Sequence, residues 1–266
     1  MPKHLGQHFL KNSAVADKII KAVDIGTGDT IVEIGPGRGA LTIALAEAVE
    51  GAHARVIAIE KDAKLIGPLS EKLGKNIEIM HGDALDILPS MVFDVKTTKI
   101  VGNIPYYITG HLLRTISELK TKPAWCIFMI QKEVAERIMA EPPRMNRLSA
   151  SVRFWAEPKI IMHVDRRDFS PPPEIDSAVI LLKTKAAKGD PESYYAAVRA
   201  IFAQPRKTII NNLFDSQEGS TKKDTKEKVA ATLEKIGIAP LSRPQNLTTM
   251  DIESIANHFF KKSGTG

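Results

Sequence analysis

The segment TIVEIGPGRGA, residues 30–40, decides the fold. Its first five residues are mostly β-branched and predict a strand, and the Ala- and Leu-rich run Ala40–Val49 predicts a helix. Glycines at such a turn let a ligand approach the backbone without meeting a Cβ atom, and the helix N-terminus offers free N–H groups. We therefore expect a nucleotide-like cofactor here. Because Gly35, Gly37 and Ala40 also fit G-x-G-x-x-A, the segment alone is equally compatible with a dinucleotide.

Outward from this segment, predicted strands alternate with predicted helices. The strands are short and apolar, which indicates a parallel sheet covered by helices on both faces. Two later strands, Lys159–Val164 and Ser177–Lys183, are separated by too few residues for a crossover helix, so we expect an antiparallel pair at one sheet edge. The predicted fold class is α/β, a doubly wound, mostly parallel seven-stranded sheet of Rossmann-like type with a small C-terminal α-helical domain. The remaining predicted strands are Thr30–Ile34, Arg55–Glu60, Ile77–Met80, Lys99–Asn103 and Ala124–Ile130, and the predicted helices of this part are Ser13–Val23, Ala40–Val49, Asp62–Leu73, Thr109–Leu119 and Lys132–Met139.

The last third of the chain has a different pattern and a different charge. A linker-like stretch, Lys185–Asp190, separates a sheet domain over residues 1–184 from a helical domain over residues 185–266. The whole chain has a net charge of +6, and residues 183–266 hold 14 Lys and Arg against 9 Asp and Glu. This basic excess points to a polyanionic partner for the helical domain. Its predicted helices are Pro191–Ala203, Lys207–Leu213, Thr225–Ile236 and Thr248–Phe260.

The composition excludes several classes of protein. With 43% hydrophobic and 26% charged residues in 266, the chain has an ordinary globular composition, and no stretch approaches the roughly 20 apolar residues of a membrane span. The single cysteine, Cys126, excludes an internal disulfide and a cysteine-based metal site. The seven histidines have no ligand-like spacing. We expect a cytoplasmic protein that binds neither a metal nor a membrane.

Polar side chains follow the second, third and fourth predicted strands. Glu60 ends the second strand, where a carboxylate can accept both hydroxyls of a ribose. Asp83 follows the third strand and is suited either to accept from an adenine amine or to cap the next helix. After the fourth strand, Asn103 and a carbonyl beside Pro105 can each accept one N–H of an amine, and Tyr106 can stack on a base. This cluster predicts chemistry on an exocyclic amine.

Taken together, these features resemble a known family. The chain is similar to class I S-adenosylmethionine-dependent methyltransferases and, more narrowly, to the small-subunit ribosomal RNA adenine dimethyltransferases of the kasugamycin-resistance type. The resemblance covers nearly the whole chain. The matching stretches are Gly6–Leu10, Glu33–Gly39, Glu60, Gly82–Ala84, Asn103–Tyr106, Gln131–Arg137, Phe169–Val179 and Arg206–Leu213.

The resemblance implies a role for each site residue. S-adenosylmethionine is the implied cofactor: the methionine part lies by His8 and Leu10, the Gly35 and Gly37 turn lies under it, Glu60 holds the ribose and Asp83 the adenine. Asn103 and Pro105 lie at the reacting centre, where Asn103 also borders the cofactor. Tyr106 and Phe169 would enclose the target adenine. The implied residues that bind RNA are Arg206, Lys207, Lys222 and Lys223.

The implied reaction is the transfer of methyl groups to N6 of two adjacent adenosines in the 3′-terminal hairpin of small-subunit rRNA, by a monomer acting on a pre-30S-type particle. Two alternatives stay open: a large-subunit rRNA adenine methyltransferase of the antibiotic-resistance type, and an RNA-binding ribosome-assembly factor that uses the fold without catalysis. A nicotinamide-dependent oxidoreductase explains the glycine turn and Glu60 but leaves Asn103–Tyr106 without a purpose.

Overall fold

The computed structural model describes residues 8–187, 189–216 and 225–261. The chain divides into two compact units. The sheet unit consists of Met1–Ala135 and Ala156–Thr184, and the helical unit consists of Glu136–Trp155 and Lys185–Gly266. None of the helices in these described parts is both long and apolar enough to cross a membrane.

The sheet unit contains the predicted seven-stranded sheet. Its strand order is β4-β3-β2-β5-β6-β9-β7, with β2 to β6 parallel and β9 antiparallel to both of its neighbours. Strands β3 and β4 lie on one side of β2, and β5 and β6 lie on the other, so the direction of strand addition reverses at β2 and leaves a crevice at the carboxyl ends of β2 and β5. The strands are β1 (Phe9–Leu10), β2 (Thr30–Ile34), β3 (Arg55–Glu60), β4 (Ile77–His81), β5 (Thr98–Asn103), β6 (Trp125–Gln131), β7 (Ala156–Val164), β8 (Phe169–Ser170) and β9 (Ser177–Thr184).

The helices flank this sheet and build the helical unit. Helix α1 begins at Ser13 as predicted, but its N-cap is Asn12, whose side-chain oxygen accepts from the Ala14 N–H at 3.0 Å. The helices are α1 (Ser13–Val23), α2 (Ala40–Glu50), α3 (Ala63–Ser70), α4 (Ala84–Ile87), α5 (Thr109–Glu118), α6 (Lys132–Met139), α7 (Arg147–Trp155), α8 (Pro191–Ile201), α9 (Ile209–Asp215), α10 (Lys226–Lys235) and α11 (Thr249–Ile255), the last continued by a π-helical turn, Ala256–Phe260.

Each unit has its own hydrophobic core. In the sheet unit, Ile31, Val56, Val101 and Ile127 from four neighbouring strands are all at most 1% exposed. Because helices cover strands of this kind on both faces, the sequences of these strands are continuous apolar runs. In the helical unit the core is built from α7 to α11.

The structure corrects one part of the predicted domain organisation. The change of unit at residues 184 and 185 is present, but Glu136–Trp155 belongs to the helical unit although it precedes the last two long strands. The reason is packing: the Phe154 ring stacks on the Tyr194 ring at 4.1 Å, and the Tyr194 hydroxyl donates to the Ala150 carbonyl at 3.0 Å. Helix α7 therefore shares its core with α8 rather than with the sheet.

Candidate functional site

A cleft lies at the carboxyl ends of β2, β3 and β5. It brings together every predicted cofactor or catalytic residue except Asp83. An adjoining pocket contains Asp83 and shares Gly35, Glu60 and Pro105 with the cleft. The predicted residues that line the cleft are His8, Leu10, Gly35, Gly37, Glu60, Asn103, Pro105, Tyr106 and Phe169.

Two glycines of the turn after β2 have different reasons for lacking a side chain. Both have positive φ, +67° at Gly35 and +59° at Gly37. A Cβ at Gly35 would meet no atom within 4 Å, so this position leaves open space beside the cleft. A Cβ at Gly37 would lie 3.1 Å from the Phe9 ring, so this glycine makes room for packing inside the protein. Of the two, Gly35 fits the close approach of a cofactor.

Glu60 is the buried carboxylate at the end of β3, with 5% of its surface exposed. Its Oε2 accepts from the Gly37 N–H at 3.0 Å, and its Oε1 accepts from the Asp62 N–H at 2.8 Å. Each carboxylate oxygen has more than one acceptor site, so both oxygens can still accept from a ligand. A rigid, buried carboxylate of this kind fits two neighbouring hydroxyls of a ribose.

Replacing Glu60 with alanine is expected to weaken S-adenosylmethionine binding by about 1–3 kcal/mol, the scale of lost hydrogen bonds to a charged group. Isothermal titration calorimetry checks this value. Glu78→Ala on the neighbouring strand β4 is the matched control, because Glu78 is exposed and lies outside both pockets. Equal affinities of the Glu60 variant and the wild type would contradict the assignment.

The structure shows Asp83 in the one of its two predicted roles that is visible without a ligand, that of a helix cap. Its Oδ1 accepts from the Leu85 N–H at 2.9 Å and caps α4. Its Oδ2 pairs with Lys61 Nζ at 2.7 Å, and this hydrogen bond holds the pKa of the Asp83 carboxyl below its usual value. An ionised carboxylate only accepts hydrogen bonds, which suits an adenine amine. Lys61 is a pocket residue that the sequence reasoning missed.

The end of β5 presents the atoms that can receive an amine. Asn103 Nδ2 donates to the His8 carbonyl at 3.0 Å, so the amide oxygen Oδ1 is the atom available to a substrate. The Pro105 carbonyl accepts from the Ile108 N–H at 3.1 Å. Among the described residues no backbone N–H donates to the other carbonyl beside Pro105, that of Ile104, so both of its lone pairs are available. The Ile104 carbonyl is therefore the better candidate for the second acceptor, which the sequence had left undecided.

The two predicted aromatic residues differ in exposure. Tyr106 is half-buried, its hydroxyl lies 3.0 Å from Ser177 Oγ, and burial raises its pKa. The His8 ring lies 6.0 Å from the Tyr106 ring at an interplanar angle of 30°. Phe169 lines the cleft but is only 1% exposed. Contact with a base on both sides would therefore require Phe169 to become uncovered, and its predicted role remains a prediction.

A short N-terminal strand forms one wall of the site. Strand β1 pairs antiparallel with β8, which places Leu10 opposite Phe169. His8 Nδ1 lies 2.9 Å from the Pro171 carbonyl, and Asn12 Nδ2 donates to Asp168 Oδ1 at 2.9 Å. These contacts join the start of the described chain to the segment before β9. A two-residue strand has no periodicity, so the sequence carried no signal for this sheet.

Glu33 is a second residue that sequence reasoning left without a role. It lines the cleft, is 1% exposed, and its Oε2 has no hydrogen-bond partner among the described residues. Burial raises the pKa of the Glu33 carboxyl to about 8, and the nearby Glu60 carboxylate adds to this rise. An acidic residue inside an otherwise apolar strand was the available signal.

Glu33 is expected to make the protein less stable as the pH rises. Because the pKa of the Glu33 carboxyl is about 8 in the folded protein and 4.5 in an ordinary solvent-exposed glutamate, the folded state binds one more proton than the unfolded state between these two pH values. The stabilisation that the protonated Glu33 carboxyl provides is complete below pH 4.5 and is lost as the pH rises towards about 8. Relative to Glu33→Gln, the unfolding free energy of the wild type should fall by up to about 1.4 kcal/mol per pH unit in this window. Urea unfolding between pH 5 and pH 8 checks this, and parallel pH profiles would contradict it.

The predicted RNA-binding residues lie in the helical unit. Arg206 and Lys207 are exposed, and Lys207 Nζ pairs with Asp215 Oδ2 at 3.0 Å. Lys222 and Lys223 lie outside the described residues. Over residues 8–187, 189–216 and 225–261, no group of three or more His, Cys, Asp or Glu is arranged to hold a metal ion.

The comparisons with known proteins decide the family. The family model for ribosomal RNA adenine dimethylase matches residues 1–252. The chain belongs to this family. Ribosomal RNA small subunit methyltransferase A from Dehalococcoides mccartyi is 38% identical over 253 residues, which cover 92% of this chain and 84% of the relative. The protein of the same name from Pelotomaculum thermopropionicum is 38% identical over 280 residues, covering 98% and 92%.

Solved structures support the same family. A dimethyladenosine transferase from Plasmodium falciparum has a TM-score of 0.76 and 27% identity, covering 93% of this chain and 96% of that one. The 23S rRNA methyltransferase ErmE has a TM-score of 0.72 and 26% identity, covering 95% and 100%. The predicted family, the Rossmann-like fold, the methyltransferase activity and S-adenosylmethionine as methyl donor are confirmed. The alternatives, a large-subunit enzyme and a non-catalytic factor, are not favoured.

Proposed function

We propose that this family member transfers methyl groups from S-adenosylmethionine to N6 of two adjacent adenosines in the 3′-terminal hairpin of small-subunit rRNA. The observation that carries the proposal is the fixed Asn103 amide, whose Nδ2 donates to the His8 carbonyl and whose Oδ1 is left for an amine. The relatives at 38% identity are named as small-subunit methyltransferases, which supports this choice of RNA.

Residues of the sheet unit fit the cofactor. Gly35 offers open space, and the buried Glu60 carboxylate accepts the ribose hydroxyls. Asp83 accepts from the adenine amine, and the hydrogen bond from Lys61 holds the pKa of the Asp83 carboxyl below its usual value. His8, Leu10 and Gly37 complete the wall around the methionine part. The bound cofactor supplies an electrophilic methyl group on a sulfonium centre.

The protein has to prepare the nucleophile. The lone pair of an adenine amine is delocalised into the ring and is a poor nucleophile. When Asn103 Oδ1 and the Ile104 carbonyl each accept one N–H, the nitrogen is held in an orientation that favours a pyramidal geometry. This is positioning and electrostatic preorganisation. No strong base is required, because the methylated amine loses its extra proton readily to water.

The target adenine has to leave its stack to reach these acceptors. Tyr106, half-buried at the cleft, offers a ring face for stacking, and Phe169 forms the second wall once it is uncovered. Arg206 and Lys207, together with Lys222 and Lys223, bind phosphates, so the RNA affinity should be sensitive to salt. We infer a monomer that acts on a pre-30S-type particle in the cytoplasm, with the RNA-binding role in residues 185–266.

Mass spectrometry of rRNA nucleosides tests the proposal. Small-subunit rRNA from cells lacking the protein should lose N6,N6-dimethyladenosine, and the purified protein with S-adenosylmethionine should restore it in isolated small subunits. Isolated large subunits serve as the second substrate in the same assay. Methylation of large subunits alone would favour the ErmE-type activity, and binding without any transfer would favour an assembly factor; both results would overturn the proposal.

A further inference from the structure

One buried side chain in the helical unit holds an entire exposed turn. Asn212, on α9, is only 2% exposed. Its Oδ1 accepts from the Gln204 N–H at 3.0 Å, and its Nδ2 donates to the Gln204 carbonyl at 3.1 Å. The same Nδ2 lies 3.2 Å from the Thr208 carbonyl and 3.4 Å from the Lys207 carbonyl. All four contacts join the amide to the backbone of residues 204–208.

This turn carries two of the predicted RNA-binding cations. Residues 203–207 are exposed, and the turn is closed by the Lys207 N–H, which donates to the Gln204 carbonyl at 2.9 Å. Arg206 and Lys207 therefore extend from a backbone that has little core packing of its own. Exposed turns of this kind are ordinarily mobile, and the Asn212 amide supplies hydrogen bonds that water would otherwise make.

The start of α9 is held separately from the turn. The Ile209 N–H donates to the Ser242 carbonyl at 2.8 Å, and the Ile210 N–H donates to the Pro240 carbonyl at 3.1 Å. Ile209 is fully buried in the core of the helical unit. Loss of the Asn212 amide should therefore loosen residues 204–208 and leave the helix anchored.

We propose that Asn212 is a positioning residue for RNA binding, which holds Arg206 and Lys207 in a fixed arrangement against the phosphate backbone. The inference rests on the proposed function. Its physical reason is that a turn already ordered in the free protein does not lose conformational freedom when the RNA binds. Lys207 Nζ also lies 3.0 Å from Oδ2 of Asp215, which is on α9 together with Asn212.

The test compares Asn212→Ala with two control variants. Asn211→Ala removes the neighbouring amide, which is only partly buried, and Val229→Ala removes core volume from α10 without touching the turn. Affinity for a hairpin fragment of small-subunit rRNA is measured over a range of salt concentrations. We expect Asn212→Ala to weaken binding by about tenfold, the size of the cost of ordering the backbone of one residue of the turn. Val229→Ala should show a comparable loss of thermal stability with little loss of affinity.

A double-mutant cycle separates positioning from general stability. In a chain that already carries Arg206→Ala and Lys207→Ala, Asn212→Ala should cause almost no further loss of affinity. The same further loss in both backgrounds, or an equal loss for Val229→Ala, would overturn the inference. If the two cation substitutions weaken binding and Asn212→Ala does not, only the inference fails. If the cation substitutions have no effect, the proposed RNA surface fails and the inference fails with it.

Discussion

Replacing Asn103 with alanine is expected to lower the single-turnover rate constant for methyl transfer by about a hundredfold to a thousandfold, the cost of one preorganised polar group at a reacting centre. Alanine removes the Oδ1 acceptor for the adenine amine and the Nδ2 bond to the His8 carbonyl. Cofactor affinity should change far less, because Glu60 and Asp83 keep their own partners. Single-turnover transfer to isolated small subunits gives the rate, and calorimetry gives the affinity.

The matched control for Asn103 is Asn76→Ala. Asn76 is exposed before β4, at the amino end of the sheet, so this substitution removes an amide of the same size away from the cleft. It should leave both the rate and the affinity near the wild-type values. If the Asn103 variant turned over at the wild-type rate, the amine chemistry assigned to the end of β5 would be wrong. If it lost cofactor binding to the same extent as activity, Asn103 would be a cofactor ligand first.

The sheet could be predicted because its strands are buried on both faces. Strands such as Arg55–Glu60 were predicted with the observed bounds, since a fully buried strand is an apolar run between breakers. The site followed from the same geometry: parallel strands deliver their carboxyl ends to one edge, so Glu60 and Asn103 had to lie near each other. The antiparallel pairing of β7 with β9 followed from the short connection between them.

The missed features depend on contacts between distant residues. Pairing of β1 with β8 joins Phe9 to Ser170, and neither two-residue strand has a pattern of its own. The placement of Glu136–Trp155 with the helical unit depends on the packing of Phe154 against Tyr194, which strand and helix periodicity does not encode. Lys61 follows Glu60 in sequence, and only the fold brings it to Asp83.

Replacing Lys99 with methionine is expected to destabilise the sheet unit by about 3–5 kcal/mol, the cost of leaving a buried charge without its partner. Lys99 is 3% exposed, and its Nζ lies 2.6 Å from Asp29 Oδ2 and 4.4 Å from the centre of the Trp125 ring. It also donates to the Asp24 carbonyl. Methionine matches the apolar stem of lysine up to Cε and lacks only the ammonium group, so most of the effect is electrostatic. Urea unfolding followed by circular dichroism measures the loss.

Two further variants isolate the charge of Lys99. Lys96→Met alters an exposed lysine just before the same strand and should change the unfolding free energy by no more than about 0.5 kcal/mol. Adding Asp29→Asn to Lys99→Met removes the unpaired charge, and the amide oxygen can still accept from the Gly26 N–H, which lies 2.7 Å from Oδ2 in the wild type. The double variant should therefore be more stable than Lys99→Met alone. If it is less stable, the loss comes from packing around Trp125 rather than from the buried carboxylate. Because Lys99 and Asn103 lie near opposite ends of β5, the folded fraction of each variant should retain its affinity for S-adenosylmethionine.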